Sequence, residues 1–266
     1  MLPGKKIQKK FPEMTVFNTE AIVLKQFELG EADKIITFYT KDRGKIRAVA
    51  RGVRKTNSRI SGLVLPFSYN LVTFYRGRSL DRINEIKNIF PFSSLREDLT
   101  MMAYCSFLAE LIDKIGLEDS PNQKLFSLLL ASFHHFINVN REKYDYIELV
   151  FKVHLLILLG LKPGILNCVS CGKDYKLRKI NLFSISQGGI ICAECFSQNE
   201  AVEKISGEVL KVLEMIYKSG LRPFDNLKIS SKAFKELDGL INSFLLFYLD
   251  IELKSLDFLN TIKNLG

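Results

Sequence analysis

The 266-residue sequence has no apolar run near the roughly 20 residues that a membrane-spanning helix needs. Its first residues, MLPGKKIQKKFPE, lack the apolar centre and small-residue cleavage site of a secretory signal. Hydrophobic residues make up 47% of the chain and charged residues 25%, with no low-complexity tract. We therefore expect a cytoplasmic globular protein that does not span a membrane, built from more than one folding unit.

Residues that carry catalysis are also scarce. The three histidines, His134, His135 and His154, fall in helical segments, where each is expected to be a packed or surface residue. The sequence has no P-loop, no nucleophile elbow, no H-x-E motif of the zinc deaminases and no cluster of acidic metal ligands. The sequence therefore predicts a protein that is not an enzyme and has no small-molecule substrate.

Acidic residues are rare at the N-terminal end of the chain. Residues 1–90 contain 18 Lys and Arg against 8 Asp and Glu, whereas residues 91–266 contain 20 against 21. A net charge of +10 confined to one part of the chain favours a polyanionic partner. Nucleic acid ranks first, an acidic protein tail second and an anionic membrane third. The alternative is a solvated basic face that only keeps the domain soluble.

Residues 14–90 contain five short segments of β-strand type. Alternating or β-branched runs occur at 17–26, 33–40 and 44–51, and two more flank a turn at 76–79, where Gly77 is predicted to take a positive φ. Five strands in this length, with a basic loop after the third, fit a small barrel, because closure removes exposed edges. Among small barrels, the OB-fold is the one that most often binds single strands.

From residue 95 the spacing of apolar residues becomes helical. Phe234, Leu237, Ile241, Phe244 and Tyr248, for example, recur every three or four residues. Ser120, followed by Pro121 and Gln123, predicts a capping box with Ser120 as the N-cap of a helix. We expect an α+β protein, in which the helical domain over 91–266 is interrupted at about 164–200 by irregular sequence rich in Gly and Cys.

Four of the five cysteines form two C-x-x-C pairs, Cys168 with Cys171 and Cys192 with Cys195. Two such pairs complete a tetrahedron of thiolates, so the spacing predicts a ribbon that binds one structural Zn²⁺. Disulfides are disfavoured in the cytosol, an iron–sulfur cluster suits the same four thiolates, and a redox C-x-x-C does not explain the second pair. Four thiolates leave no position for a reactive water, which counts against a zinc-dependent nuclease or hydrolase.

Several longer motifs occur in a fixed order along the chain. The N-terminal part contains TEAIVL (19–24), GEAD (30–33), RGK (43–45), ARGVRK (50–55) and LPF (65–67). The C-terminal part contains LLGLKPGILNCVSCGK (158–173) and GGIICAEC (188–195). In these motifs the sequence resembles the RecO family of bacterial recombination-repair proteins, and specifically those members that carry a zinc-binding insertion. Residues 1–13 form an extension ahead of the shared motifs, and we assign no role to it.

The resemblance implies an N-terminal OB-fold over 14–90, followed by a helical domain over 91–266 with a four-cysteine zinc site. It also implies a function, which is to bind single- and double-stranded DNA and to anneal complementary strands. The implied partners are RecR and the single-strand-binding protein SSB, so that the recombinase RecA can displace SSB. The implied location is cytoplasmic and associated with the nucleoid.

The basic residues of the barrel are the predicted phosphate contacts, taken as a group: Arg43, Lys45, Arg47, Arg51, Arg54, Lys55, Arg59, Arg76 and Arg78. The segment ARGVRKTNSR (50–59) is expected to be a mobile loop that holds the DNA backbone. Phe74 and Tyr75 are candidates for stacking on bases, although whichever of them points inward belongs to the barrel core. The alternative function is a protein-interaction adaptor whose basic surface binds an acidic protein tail, with DNA contact incidental.

Overall fold

The computed structural model describes residues 16–174, 180–197, 201–219 and 229–265. The chain divides into two compact units. The barrel unit runs to Pro91 and also includes Glu118–Pro121, and the helical unit comprises the rest. The extension predicted over 1–13 lies outside the described residues. The sequence placed a single boundary near residue 90, whereas the chain returns to the barrel unit at Glu118.

Five strands form the barrel unit: β1 (Val16–Leu29), β2 (Asp33–Thr40), β3 (Gly44–Ala50), β4 (Tyr69–Tyr75) and β5 (Asp81–Phe90). Their order is β1-β2-β3-β5-β4, and β4 pairs with β1 to close the barrel. Every pairing is antiparallel except that of β3 with β5, which is parallel and joins Ala48 to Asp81 and Val49 to Arg82. The prediction of a five-stranded, OB-like barrel is confirmed.

Alternation along the strands sorts apolar side chains to the barrel interior and cations to its outer surface. In β3, Ile46, Ala48 and Ala50 are buried in the core, whereas Arg47 is exposed and Lys45 is half-buried. Phe74 of β4 is fully buried, with its ring centroid 5.4 Å from that of Phe38. Of the two stacking candidates, Phe74 and Tyr75, Phe74 is therefore a core residue of the barrel.

The segment after β3 is folded onto the barrel. Val53 and Val64 are buried in the barrel core, and Phe67 donates its backbone N–H to the Val23 carbonyl at 2.8 Å. The N–H of Arg54 donates to the Ala32 carbonyl at 2.9 Å, and that of Gly52 to a carboxylate oxygen of Asp33 at 2.7 Å. The expectation of a mobile loop is wrong for this segment, because buried valines and backbone hydrogen bonds anchor it.

Gly77 in the β4–β5 connection does not have the positive φ that was predicted for it. A Cβ built on Gly77 would lie 1.8 Å from the Leu80 carbonyl oxygen. Its own N–H donates to a carboxylate oxygen of Asp81 at 2.9 Å. Glycine is therefore required here by the close approach of two backbone segments and not by a left-handed turn.

The helical unit contains seven α-helices among its described residues: α1 (Ser94–Glu97), α2 (Leu99–Ile115), α3 (Gln123–Asn138), α4 (Tyr144–Leu158), α5 (Gly207–Ser219), α6 (Ser231–Leu249) and α7 (Lys254–Leu265). A 3₁₀ turn, Arg141–Lys143, precedes α4.

A small antiparallel sheet has the order β7-β6-β8 and consists of β6 (Ile180–Ser184), β7 (Gly189–Ile191) and β8 (Glu203–Ser206). Phe183 and Ile190 of this sheet pack into the same core as Leu213, Leu237 and Ile241 of the helices. The predicted helical domain with an inserted ribbon is confirmed.

None of the described helices is both long and apolar enough to cross a membrane.

The N-cap of α3 is Asn122 and not Ser120. The Asn122 side-chain oxygen accepts the N–H groups of Lys124 and Leu125, both at 3.1 Å. Asn and Ser are equally good caps, so the position is decided by where the chain enters the helix. Ser120 and Pro121 belong instead to the segment that lies with the barrel unit.

A group of charged side chains is buried inside the helical unit. Lys152 of α4 is fully buried, and its ammonium donates to Glu148 at 2.8 Å, to Asp238 at 2.6 Å and to Asn242 at 2.7 Å. Lys263 of α7 contacts the second Glu148 oxygen at 2.5 Å. All three donors of the Lys152 ammonium therefore have acceptors, which is the condition for burying such a charge.

Candidate metal centre and nucleic-acid interface

The four predicted cysteine ligands lie together in the helical unit. The Sγ atoms of Cys168, Cys171, Cys192 and Cys195 are all within 4.8 Å of one another. The Sγ atoms of Cys171 and Cys192 are 3.9 Å apart, far longer than the roughly 2.05 Å of a disulfide. A tetrahedral metal with bonds of about 2.3 Å to sulfur separates its ligand atoms by about 3.8 Å. The four cysteines are therefore positioned to bind a metal ion.

Each cysteine pair lies on a tight turn. The Gly172 N–H donates to the Cys168 carbonyl at 2.8 Å, and Gly172 takes a φ of 73°, which a residue with a Cβ rarely adopts. In the second pair, the N–H groups of Cys195 and Phe196 both donate to the Cys192 carbonyl at 3.1 Å. These turns direct both thiols of a pair to the same side of the backbone.

A backbone bridge between two glycines connects the segments that precede the two cysteine turns. Gly164 donates its N–H to the Gly188 carbonyl at 2.8 Å and accepts the Ile190 N–H at 2.9 Å, which forms a parallel bridge between Gly164 and Gly189. The Val169 N–H then donates to the Ile190 carbonyl at 3.0 Å. The chain ahead of the first pair is therefore fixed to the strand ahead of the second, and this register sets the distance between the pairs.

The surroundings of Cys168 favour its thiolate. Burial of this thiol acts to raise its pKa, but N–H groups of Cys192, Cys171 and Ser170 direct hydrogen bonds at the sulfur and lower the pKa to about 6. The Cys192 N–H is 3.3 Å from this sulfur. Hydrogen bonds to Cys192 and Cys171 raise the pKa of Cys195 to about 12. Four thiolates at this spacing repel one another, so all four ionise together only when a cation binds between them.

The charged residues between the cysteine pairs are only partly described. Lys173, which is exposed, forms an ion pair with Glu194 at 2.8 Å. Lys176, Arg178 and Lys179 lie outside the described residues. Within the part of the ribbon that the structure describes, the Lys173 charge is therefore balanced locally.

In the barrel unit, four of the nine predicted phosphate contacts line one cleft of about 160 Å³. Lys45 and Arg47 enter it from β3, and Arg76 and Arg78 enter it from the β4–β5 connection. The parallel pairing of β3 with the start of β5 brings these two segments side by side. In OB-folds, the outer face of the second and third strands and the connection between the fourth and fifth form the surface that binds oligonucleotides.

Three carboxylates, those of Asp81, Glu118 and Asp119, share this cleft with the cations, and the Asp81 carboxylate lies 4.0 Å from the Arg76 Nε. A Glu118 oxygen lies 3.1 Å from the Arg47 Nε. Arg76 donates to both oxygens of Asp119, with Nη1 to Oδ1 at 2.8 Å. The hydrogen bond between them raises the pKa of Arg76 and lowers that of Asp119. The guanidinium groups of Arg47 and Arg76 therefore already have carboxylate partners within the protein.

The remaining predicted contacts lie elsewhere on the barrel unit. Arg43, in the β2–β3 turn, is exposed and stacks over the Phe17 ring at 5.0 Å from its centroid. The other four follow β3 and are exposed: Arg51, Arg54, Lys55 and Arg59. Arg54 donates to the Gly30 carbonyl at 2.8 Å and pairs with Glu28 at 3.1 Å, beside the β1–β2 turn. The nine residues therefore form a cleft group, a loop group and Arg43.

Sequence reasoning missed the acids of the cleft. Residues 16–91 and 118–121 contain 14 Lys and Arg against 9 Asp and Glu, a smaller excess than that of residues 1–90. Part of the difference is Glu118 and Asp119, which follow the last turn of α2 in the sequence. The sequence does contain an acidic L-E-D-S-P segment between two apolar helices. This segment alone does not indicate which cations its two acids pair with.

Comparison with known proteins agrees with this architecture. The family model described as "Recombination protein O N terminal" matches residues 14–92, and "Recombination protein O C terminal" matches residues 96–257. Proteins named DNA repair protein RecO are similar along nearly their whole length. The protein from Desulforamulus reducens is 36% identical, over 95% of this chain and 98% of its own. The protein from a Thermoanaerobacter species is 32% identical, over 95% of this chain and 100% of its own.

Two domain models in the expected order, together with relatives that this chain matches from end to end, identify the family. The OB-like barrel and the helical domain with four clustered cysteines are the structural counterpart of those two matches. This chain belongs to the RecO family of DNA repair proteins.

Proposed function

We propose that this protein is a non-catalytic recombination mediator that binds single- and double-stranded DNA, anneals complementary strands and helps to load a recombinase onto SSB-coated single strands. The observation that carries the proposal is the cleft in which Lys45, Arg47, Arg76 and Arg78 converge on the outer surface of an OB-like barrel. Contacts from such cations to phosphates hold the nucleic-acid backbone and carry no sequence information. A surface that holds the backbone without reading sequence suits strand annealing.

The loop group extends the basic surface beyond the cleft. Arg51 directly follows the last residue of β3, the strand that carries Arg47. The backbone that anchors this segment leaves the side chains of Arg51, Lys55 and Arg59 exposed. A rigid backbone with exposed cations holds a phosphate chain at a lower cost in conformational entropy than a mobile loop.

The metal of the cysteine site is proposed to be one structural Zn²⁺. Four thiolates suit Zn²⁺ and complete its coordination, so no position remains for a water that could attack a substrate. Phe183 and Ile190, on strands next to the second cysteine pair, are fully buried in the core of the helical unit. Zinc bound there would fix the ribbon on which these two side chains lie, and it would have no catalytic role.

Membership of the family supports the partners RecR and SSB, and a location in the cytoplasm at the nucleoid. Under this hypothesis, the protein holds DNA through the barrel unit while it acts on SSB-coated strands together with RecR. The recombinase RecA is then the protein that replaces SSB.

The test is binding to a fluorescent oligonucleotide, measured by anisotropy over a salt series. We expect wild type to bind with a steep dependence on salt. On single strands, Arg47→Gln/Arg78→Gln should lower the salt slope by about 0.7 for each phosphate that is no longer neutralised. The triple variant Arg51→Glu/Arg54→Glu/Lys55→Glu should abolish binding. Lys87→Gln/Lys218→Gln, which removes two other exposed cations, is the charge-matched control for the double variant. Wild-type binding that none of these variants weakens would place the DNA site elsewhere.

The second candidate is a protein-interaction adaptor whose basic surface binds an acidic protein tail. The observation in its favour is that Arg47 and Arg76 already hold carboxylates. If this hypothesis holds, Arg51→Glu/Arg54→Glu/Lys55→Glu keeps its DNA binding and no longer captures an acidic peptide. If the protein is a mediator, the same variant loses both DNA binding and strand annealing.

A further inference from the structure

The connection between α2 and α3 completes the wall of the barrel beside the basic cleft. Glu118 forms isolated β-bridges with Gly44 and Lys45 at the start of β3. This edge of β3 is open, because β5 pairs with β3 only at Ala48 and Val49. We call Glu118–Pro121 the acidic clip, since its backbone lies against the strand that supplies Lys45 and Arg47 to the cleft.

The side chains of the acidic clip occupy the donors that a phosphate would use. Arg76 presents a planar fork of N–H groups, and both oxygens of Asp119 accept from it. A phosphate with two free oxygens binds such a fork in the same way. Glu118 likewise accepts the Nε–H of Arg47 at 3.1 Å. The two carboxylates and the backbone of a nucleic acid cannot hold these donors at the same time.

These ion pairs are open to exchange. The Arg47 and Glu118 side chains are 53% and 55% exposed, and those of Arg76 and Asp119 are 42% and 52% exposed. Asp119 also has a φ of 54°, in the left-handed region, which is unfavourable for a residue with a Cβ although Asp tolerates it better than most. The clip is therefore held by solvent-accessible contacts in a backbone conformation that is not the preferred one.

We propose that the acidic clip is a displaceable mimic of DNA phosphates, which competes with nucleic acid for Arg47 and Arg76 and thereby lowers the affinity of the cleft. This inference rests on the proposed function, because it presupposes that the cleft binds DNA. Binding then exchanges two carboxylates for two phosphates, and the freed carboxylates take up cations from solution. The net release of counterions is smaller than the number of phosphates bound, so both affinity and salt slope are lower than those of an unmasked cleft.

The variant that tests the proposal is Glu118→Gln/Asp119→Asn, which keeps the shape of both side chains, and Asn accepts the left-handed backbone as Asp does. In a salt series with a labelled oligo-dT strand, we expect the variant to bind about tenfold more tightly at low salt than wild type. Its salt slope should be steeper by up to about 1.4, which is about 0.7 for each of two phosphates on a single strand. A purely structural role for the clip predicts no steeper slope.

Glu85→Gln/Glu214→Gln is the matched control, because it removes two acids whose ion pairs are with Lys87 and Lys218 and not with Arg47 or Arg76. The same clip variant in an Arg47→Gln/Arg76→Gln background should gain no more than this control. If the clip variant unfolds in a thermal melt, Glu118→Gln alone decides the question, with an expected gain of about threefold. If wild type binds DNA but the clip variants gain no more affinity than the control, the proposed competition by the acidic clip is wrong. The proposed function is not affected by that result. Wild type that binds no DNA overturns both.

Discussion

Gly164 and Gly189 lie against each other with no room for a side chain between them. A Cβ on Gly189 would come 2.5 Å from the Gly164 carbonyl oxygen and 2.5 Å from Val169 Cγ1. The bridge between these glycines sets the register of the two cysteine pairs. The spacing of the four cysteines therefore depends on two glycines that supply no ligand atom.

Gly189→Ala should destabilise the helical unit by about 3 kcal/mol, because backbone and the Val169 methyl group must move to admit the new carbon. Urea denaturation measures this change, and metal content after dialysis should fall with it. The control is Gly239→Ala in α6, where an added Cβ meets nothing within 4 Å. There, alanine in an exposed helix should stabilise by about 0.5–1 kcal/mol. Equal effects of the two substitutions would show that the bridge has no role in the site.

Removal of the metal should loosen the helical unit and leave the barrel intact. Phe183 and Ile190 reach the helical core from strands next to the second cysteine pair, so the loss of thiolate ligation frees both side chains to leave that core. We expect one Zn²⁺ per chain in purified protein, and its loss in Cys192→Ser. Affinity for zinc should decrease as pH falls, because protons compete for the thiolates. Thermal melting with and without a chelator measures the loss, and an unchanged melting curve after complete zinc removal would contradict a structural role.

Lys152→Met should cost about 3 kcal/mol, because Glu148 and Asp238 lose a cation that contacts both of them. Addition of Asp238→Asn to this variant should restore part of the loss, since it removes a carboxylate that lost its ion pair with Lys152, whereas Glu148 still contacts Lys263. The control is Lys218→Met, which breaks an exposed pair at the same i,i+4 spacing and should change stability by less than about 0.5 kcal/mol. A small effect of Lys152→Met in urea denaturation would mean that water reaches the buried acids.

The ion pair of Asp145 and Lys263 should make stability depend on pH at both extremes. Burial acts to raise the pKa of Asp145, but the Lys263 ammonium at 2.7 Å lowers it below its usual 3.8. Burial acts to lower the pKa of Lys263, but Glu148 and Asp145 raise it above 10.5. The carboxylate contribution is complete above about pH 4 and is lost as pH falls through the folded pKa. The lysine contribution is complete below about pH 10 and is lost as pH rises through its folded pKa.

Lys263→Met should therefore lower the free energy of unfolding by about 2 kcal/mol at neutral pH, where the pair is fully charged. The difference from wild type should shrink below about pH 4. Urea denaturation at several pH values measures it, with Lys87→Met of the barrel as the control. A difference that stays constant down to acid pH would assign the effect to lost packing and not to charge.

Local patterns carried most of the sequence-based prediction. The alternation of Lys45, Ile46, Arg47 and Ala48 correctly assigned one face of β3 to the core and the other to the surface, because a strand repeats every two residues. The cysteine spacing likewise predicted four thiols in one place, which the structure contains. In both cases, residues close in sequence are sufficient to define the arrangement.

Contacts between distant parts of the chain were not predictable in the same way. Arg76 and Asp119 are 43 residues apart, and an exposed arginine leaves no periodic signal that would name its partner. Gly77 was expected to form a turn by positive φ, but the requirement comes from the Leu80 carbonyl that approaches it. Asn122 replaced Ser120 as the cap of α3, because the course of the chain and not the choice of residue decides where the helix begins.

The parallel seam between β3 and β5 has a consequence for folding. It joins only Ala48 with Asp81 and Val49 with Arg82, whereas β1 and β4 pair over seven positions. A ladder this short is the weakest closure of the barrel, and the pairing of segments more than 30 residues apart costs loop entropy. We expect it to form last in folding and to open first in native-state hydrogen exchange. Since the cations of the cleft come from both sides of this seam, binding of an oligonucleotide would slow amide exchange at Asp81 and Arg82.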